Sequence, residues 1–259
     1  MRVISLNMNG IRAAERKGFF EWLVKQNADL VCLQEVRIQE HQLTEQMKSP
    51  SPLKAHYLLA EKPGYSGVAM YFRQPPLTIT EGLGWTPADK EGRFLCAEYD
   101  QLAIASVYLP SGSSSEERQK FKYQFMDHLA LWMDQRKSQG KEVLICGDLN
   151  IAHTKLDLKN WRGNQKNSGF LPAERAWFDG RFIGGNWVDV FRHLHPLEEG
   201  KGYTWWSNRG NAWANNTGWR IDYQLGTPGI AATAELSKVY KDDRFSDHAP
   251  LCVDYSFQI

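Results

Sequence analysis

Short apolar runs separated by polar residues recur along the chain, and this rhythm predicts most of its elements. The runs are Val3–Leu6, Leu30–Leu33, Val68–Phe72, Phe94–Tyr99, Ile104–Leu109, Val143–Cys146, Ile221–Leu225 and Leu251–Tyr255. Their shortness, and the Gly, Pro and Asp around them, favour strands over helices. Amphipathic segments lie between some of them. Lys17–Gln26 carries Phe19, Phe20, Trp22 and Leu23, and Glu116–Lys137 carries Phe121, Phe125, Leu129 and Trp132 at helical spacing. The segment Pro172-Ala-Glu-Arg-Ala-Trp-Phe178 resembles a helix start with proline in its first turn. Thr44–Lys54 and Ser111–Glu117 read as polar loops. Strands and helices intermix without a linker-like tract, repeat or low-complexity segment, so residues 1–259 are expected to form one α/β domain.

Polar residues cluster just after the strands, and that is where chemistry is expected. Ser5-Leu-Asn7-Met-Asn9-Gly10-Ile-Arg12 follows the opening strand. Its carboxamides suit orientation of a metal-bound group and Arg12 suits a phosphate, although an Asn-Gly turn explains the same letters. Gln34-Glu35 ends the second run with an acid that faces either solvent or a hard cation such as Mg²⁺. Gly147-Asp148-Leu-Asn150 places an acid and a carboxamide two residues apart on one side, again with an Asx-turn as the alternative. Arg220-Ile-Asp222 and Ser246-Asp247-His248-Ala-Pro250 supply an aspartate and a histidine whose contact would fix the imidazole tautomer. No Gly-x-x-x-x-Gly-Lys loop, Gly-x-Ser-x-Gly elbow or His-Glu-x-x-His occurs. Acids, asparagines and an Asp-His pair without a covalent nucleophile suit attack by water on a phosphodiester beside a divalent ion.

Bulk composition adds little to this. Lysine plus arginine (31) nearly cancels aspartate plus glutamate (30), so net charge neither announces nor excludes a polyanion. The four cysteines, Cys32, Cys96, Cys146 and Cys252, lie in apolar runs with no Cys-x-x-Cys pair. They read as buried strand residues of a reducing compartment, not as a disulfide framework or zinc site. With no signal-peptide pattern, and no apolar stretch near the roughly 20 residues that span a bilayer, a cytoplasmic protein without membrane contact is expected.

Taken in order, several motifs resemble the exonuclease III family of apurinic/apyrimidinic endonucleases, within the endonuclease/exonuclease/phosphatase fold. They are Leu6-Asn-Met-Asn-Gly-Ile-Arg-Ala13, Leu33-Gln-Glu35, Val107-Tyr-Leu-Pro110, Gly147-Asp-Leu-Asn-Ile-Ala-His153, Lys166-Asn-Ser-Gly-Phe170, Tyr203-Thr-Trp-Trp206, Gly218-Trp-Arg-Ile-Asp-Tyr223 and Ser246-Asp-His-Ala-Pro250. The resemblance spans nearly the whole chain and implies a two-sheet α/β sandwich. It also implies Mg²⁺, with Mn²⁺ as a substitute, held mainly by Glu35 with Asn7, Asp148, Asn150 and Asp247 in or beside the metal shell. Asp148, assisted by Asn150, would orient or deprotonate the attacking water. His248, oriented by Asp222, would either hydrogen-bond the scissile phosphate or act as the general base. Tyr108 would meet the phosphate or the leaving group, and Asn167 a phosphate oxygen. Trp205, Trp219 and Ile221 match the family's pocket for a flipped-out abasic sugar, with Arg12 on a phosphate, Arg209 as a groove probe and Trp206 as core. The run Lys155, Lys159, Arg162 and Lys166 would track the backbone. The implied partner is double-stranded DNA with abasic or 3′-blocked sites, met by a monomer.

The chain departs from the family at Val36, Arg37 and Ser111, where threonine, lysine and an amide residue are usual. It also resembles the catabolite-repression-control regulators of the same fold, degenerate members that act on RNA with protein partners. Gln26-Asn-Ala-Asp29, Leu109-Pro-Ser-Gly112 and Phe245-Ser-Asp-His-Ala-Pro250 carry that likeness. Those regulators lack several acids of the site, whereas Glu35, Asp148, Asn150, Asp222, Asp247 and His248 are all present here, which favours catalysis. A phosphoesterase acting on lipid or small-molecule phosphates is a third reading, which the tryptophan-rich Tyr203–Asp222 stretch disfavours.

Overall fold

The computed structural model describes residues 1–182, 184 and 186–259. Its strands are β1 (Arg2–Asn7), β2 (Leu30–Gln34), β3 (Lys54–Leu58), β4 (Val68–Phe72), β5 (Thr78–Glu81), β6 (Phe94–Glu98), β7 (Leu102–Tyr108), β8 (Glu142–Asp148), β9 (Val188–Asp189), β10 (Trp205–Trp206), β11 (Gly218–Trp219), β12 (Asp222–Gly226), β13 (Ala234–Val239) and β14 (Leu251–Tyr255). They build one six-stranded sheet in the order β13-β14-β1-β2-β4-β3 and a second in the order β5-β6-β7-β8-β12-β9, with β10 and β11 forming a small ribbon.

The apolar runs are continuous because the central strands are buried on both faces. Alternate residues of β1, β2 and β4 (Val3, Leu30, Cys32, Val68 and Met70) meet Leu95, Ile104, Leu144 and Cys146 of the second sheet in a shared core. The intervening residues of the first sheet, including Ile4, Leu6, Val31 and Leu33, pack under the helices Ile11–Glu15 and Phe19–Lys25. Those of the second, including Ala105, Val107, Val143 and Ile145, pack under Glu116–Lys137 and Pro172–Phe182. The result is a two-sheet α/β sandwich with helices outside.

Polar pins cross the layer between the sheets. Gln34 Nε2 donates to Ser106 Oγ at 3.0 Å, and Gln224 Nε2 donates to the Val3 carbonyl at 3.1 Å. Cys32, Cys96 and Cys146 are buried and unpaired, as their apolar surroundings predict, while Cys252 is half-buried. Among the described residues no helix is long and apolar enough to cross a membrane.

Some elements differ from expectation. Within Thr44–Lys54, expected as a loop, Glu45–Lys48 is helical, with Thr44 Oγ1 accepting from Met47 N at 3.2 Å, and Lys54 opens β3. β5 and β13 have no apolar run because they lie at sheet edges, largely open to solvent.

Strand direction sets where function gathers. β1 runs parallel to β2 and β7 parallel to β8, so each pair ends on one edge. β12 runs antiparallel to β8 and begins there, with Asp222 opposite Asp148. The end of β1 reaches that same edge, since Asn7 bonds Asp148 across the two sheets.

Candidate active site

The converging strand ends open into a cleft of about 1090 Å³ lined by Asn7, Asn9, Glu35, Tyr108, Asp148, Asn150, Asn167, Trp205, Trp219, Ile221, Asp247 and His248. Positive φ angles at Asn9 (44°), Glu35 (55°) and Asn150 (50°) turn the chain just past β1, β2 and β8. Asn tolerates that left-handed region because its side chain bonds locally; Glu does so rarely, and such an outlier marks a site worth testing for function.

The asparagines hold the acids. Asn7 Nδ2 donates to Glu35 Oε2 at 2.9 Å and to Asp148 Oδ2 at 2.8 Å, while its Oδ1 accepts from Asn9 N at 2.9 Å. Asn9 Nδ2 in turn donates to Asp247 Oδ1 at 2.8 Å. One hydrogen-bonded chain therefore runs Glu35–Asn7–Asn9–Asp247. Asn150 donates its backbone N–H to Asp148 Oδ1 at 2.8 Å, and its Nδ2 donates to Asp148 Oδ2 at 3.1 Å and the Leu109 carbonyl at 2.9 Å. The Asx-turn reading and the site reading of both motifs thus hold together. Asn7 and Asn150, expected in or beside a metal shell, thus stand against the acids Glu35 and Asp148. Their amide nitrogens face the carboxylates, because backbone groups fix each amide's orientation.

His248 lies behind this chain. Its Nδ1 is 2.8 Å from Asp222 Oδ2, and its Nε2 is 3.9 Å from Asp148 Oδ2. Burial alone would lower its pKa, but Asp222, with Asp148 and Asp247, raises it to about 10. Asp148 is raised as well, but here burial is the chief cause: with Asp222 nearby it lifts the pKa to about 7, against the pull of His248 and Asn7. Asp247 stays below its usual value, since His248, Trp205 and Asn9 outweigh the effect of its burial. Burial and the Glu35 charge push the Tyr108 hydroxyl well up, and the Arg93 guanidinium stacks on its ring at 4.6 Å.

Two places for a cation were tested against these contacts. Asp148, Asp222 and His248 offer atoms within 4.8 Å of one another. A histidine flanked by three carboxylates holds its proton, however, and an imidazolium has no lone pair for a metal. By donor type, the carboxylates of Glu35 and Asp247, which line the same cleft, suit a hard divalent ion better. Arg37 forms an ion pair with Glu35 Oε1. Its side chain is 42% exposed, against 13% for Glu35, and lines the same cleft, so a cation at Glu35 would share that carboxylate with Arg37 or displace it.

The apolar end of the cleft is built from the tryptophan stretch. Trp205 and Trp219 pair across β10 and β11, and their rings meet edge to face at 6.2 Å. Ile221, Ala152, Leu158 and Phe170 pack behind them. Trp205 Nε1 donates to Asp247 Oδ2 at 3.1 Å, joining this pocket to the acids. Trp206 is buried in the main core, as expected. Between Trp219 and Ile221, Arg220 turns inward to a double ion pair with Asp157 (2.8 Å) and Asp189 (2.6 Å).

Arg12 is not brought in. The helix Ile11–Glu15 buries Ile11 and Ala14, which turns Arg12 outward to a shallow hollow shared with Arg16 and Arg37. Of the basic run only Lys166 lines the cleft; Lys155 faces a separate hollow and Arg162 stacks on Trp161 at 4.6 Å. Arg209 and Ser111 do line the cleft. Asn9, one of the two carboxamides of the first motif, also joins the site, and its place in Asn7-Met-Asn9 matches that of Asn150 in Asp148-Leu-Asn150.

This sandwich, with acids and an aspartate-held histidine at the strand ends, defines a phosphoesterase-type site. The chain belongs to the endonuclease/exonuclease/phosphatase family, whose model matches residues 4–248. It is 38% identical over 252 residues to the exodeoxyribonuclease of Bacillus subtilis (strain 168), covering 97% of this chain and 98% of that protein. It is 34% identical over 255 residues to a DNA-(apurinic or apyrimidinic site) endonuclease of Dictyostelium discoideum, covering 98% of this chain and 70% of that one. An AP endonuclease from Archaeoglobus fulgidus shares the fold, with a TM-score of 0.89 at 23% identity over 99% of this chain and 100% of that one.

Proposed function

We propose that the protein is a metal-dependent DNA repair nuclease that hydrolyses the backbone at abasic sites. The observation that carries this reading is the cleft itself, where Glu35, Asp148, Asp247 and His248 stand beside an apolar pocket of Trp205, Trp219 and Ile221. The names of its relatives agree with it.

Glu35 and Asp247 would hold Mg²⁺, or Mn²⁺ in its place. Bound there, the ion would neutralise charge on the phosphoryl oxygens. Asp148, held by Asn7 and Asn150, orients the attacking water and takes its proton. Asp222 fixes His248 with Nδ1 occupied, leaving the Nε2–H to donate to a non-bridging oxygen as negative charge grows. That assigns the general base to Asp148 and electrostatic stabilisation, commonly the greater source of rate acceleration, to His248. Tyr108 and Asn167 add donors along the phosphate path. Trp205, Trp219 and Ile221 enclose a sugar that carries no base and exclude an intact nucleoside, so selectivity for the lesion is steric. The substrate is double-stranded DNA with abasic or 3′-blocked sites, with Arg209 and Lys166 at the mouth of the cleft meeting the duplex.

The test is purified protein, a duplex with one abasic site, and Mg²⁺ with or without chelator. Cleavage that needs the metal and is lost in Asp148→Asn supports the proposal. No cleavage by the wild type, together with specific RNA binding, would favour the regulator reading instead.

A further inference from the structure

A charged pair that takes no part in the chemistry touches two walls of the cleft. Lys122 and Glu174 are fully buried, with Lys122 Nζ 2.5 Å from Glu174 Oε1. Lys122 sits on the inward face of the helix Glu116–Lys137, one turn before Phe125 and Met126. Its ammonium also donates to the Asn150 carbonyl at 2.9 Å. Glu174, in the first turn of Pro172–Phe182, accepts through Oε2 from the N–H groups of Gly169 (2.7 Å) and Leu171 (3.0 Å). Gln119 Nε2 at 3.1 Å and Ser168 Oγ at 3.4 Å donate to Oε1.

One ion pair is therefore bonded to the segment carrying Asp148 and Asn150 and to the segment carrying Asn167. Both line the cleft. The packing around it has no slack. A Cβ on Gly169 would stand 3.2 Å from the Asn150 carbonyl oxygen, and one on Gly112 would stand 2.7 Å from Ser168 Oγ.

Stability does not account for charges at this position. Removing both ions from water costs about what their attraction returns, and apolar pairs of similar volume are often as stable or more so. What an apolar pair cannot supply is direction. These two side chains make six directed bonds that fix one backbone segment against another.

We infer that Lys122 and Glu174 are positioning residues that set the spacing between the Asp148–Asn150 wall and the Asn167 wall, and so the geometry of water attack. The inference rests on the proposed phosphodiesterase reading and deepens it. Chemistry of this kind is sensitive to such spacing, since a displacement of about 1 Å costs roughly 100-fold in rate.

The experiment compares wild type, Glu174→Gln and the apolar double variant Lys122→Met/Glu174→Leu. Urea midpoint, single-turnover cleavage of an abasic duplex in Mg²⁺, and KM are read for each. The double variant is expected to unfold at a lower urea midpoint, because the Gly169 and Leu171 N–H groups and the Asn150 carbonyl lose their partners, while the folded protein's single-turnover rate without urea falls about tenfold or more, with KM changing much less. Glu174→Gln puts an amide N–H₂ against the N–H groups of Gly169 and Leu171, so it releases the Asn167 wall and lowers the rate even if the double variant fails to fold. A wild-type rate in a folded double variant, or in Glu174→Gln, overturns the inference and leaves the nuclease reading standing. Failure of the wild type to cleave takes both down.

Discussion

Gly147 is the position at which one added methyl group tests the link between strand packing and chemistry. It lies in β8 immediately before Asp148, paired with Val107 of β7 and Tyr223 of β12. Its φ is 150°, and a Cβ there would stand 1.9 Å from the Val107 carbonyl oxygen and 2.9 Å from the carbonyl carbon. Both are backbone atoms of a central strand, so no flexible side chain can yield, and β7 and β8 must separate. Overpacking of this kind costs about 1–3 kcal/mol, and an L-residue forced to positive φ adds roughly 1 kcal/mol. Gly147→Ala is therefore expected to lose about 3 kcal/mol, a Tm decrease on the order of 10 °C for a chain of this size. Because the strain falls beside Asp148 and Tyr108, a shift of about 1 Å would lower abasic-duplex cleavage roughly 100-fold even well below Tm. Gly226→Ala is the control. It lies at the far end of β12, and its Cβ would meet the Ile230 side chain at 3.0 Å, a contact that a shift of a few tenths of an ångström relieves. Thermal unfolding and single-turnover cleavage, both variants measured beside wild type, are the assays. A Gly147→Ala protein as stable and active as wild type would refute the reasoning.

Three further outcomes follow from the same geometry. Asp157 is buried, which alone would raise its pKa, but Arg220 and Arg192 hold it well below the usual range; its contribution is therefore present above the unfolded value near 4 and lost as pH falls through the folded one. Asp157→Asn should flatten the acid limb of the stability curve and cost about 1–3 kcal/mol, because it removes one of the two carboxylates that hold the buried Arg220 guanidinium, and urea titration across the acid range checks both. Asp222 raises His248 to about 10, so the imidazolium persists through neutral pH and is lost as pH rises through that value. Asp222→Asn should move the basic limb of the pH–rate profile down by about a unit or more, with the His248 ring resonances in NMR titrating in parallel; an unmoved limb would contradict the role given to the imidazolium. Trp219→Ala opens the apolar pocket, and the ratio of cleavage at abasic sites to cleavage at intact nucleotides should fall about tenfold, as paired duplexes measure.

Several residues gathered in the cleft are legible in the sequence because they end or begin an apolar run, whereas Asn167, Trp205 and Trp219 are reached only through the family resemblance. Glu35, Asp148 and Asp222 sit where a buried strand meets polar letters, and parallel pairing of β1 with β2 and β7 with β8 brings such ends together. Periodicity does not reveal which atom of a side chain faces inward. The Asn7 and Asn150 amides turn nitrogen to the acids because Asn9 N–H occupies the Asn7 Oδ1 and the Leu109 carbonyl accepts from the Asn150 Nδ2. Arg12 lies outside the cleft because a single helical turn after Gly10 rotates it away from Asn7 and Asn9. Lys122 is hard to single out because lysines on amphipathic helices are nearly always solvated, yet its spacing from Phe125 and Met126 places it on the buried stripe. The edge strands β5 and β13 leave little apolar trace because solvent covers one side of them.

Anomalous diffraction from crystals soaked in Mn²⁺ tests most directly whether distant strand ends make one hydrolytic centre. One peak within bonding reach of Glu35 and Asp247, with His248 still bonded to Asp222, is the expected result. A peak bound to His248, or none near Glu35 at saturating Mn²⁺, would contradict the assignment of these acids to the metal and of Asp148 to the water.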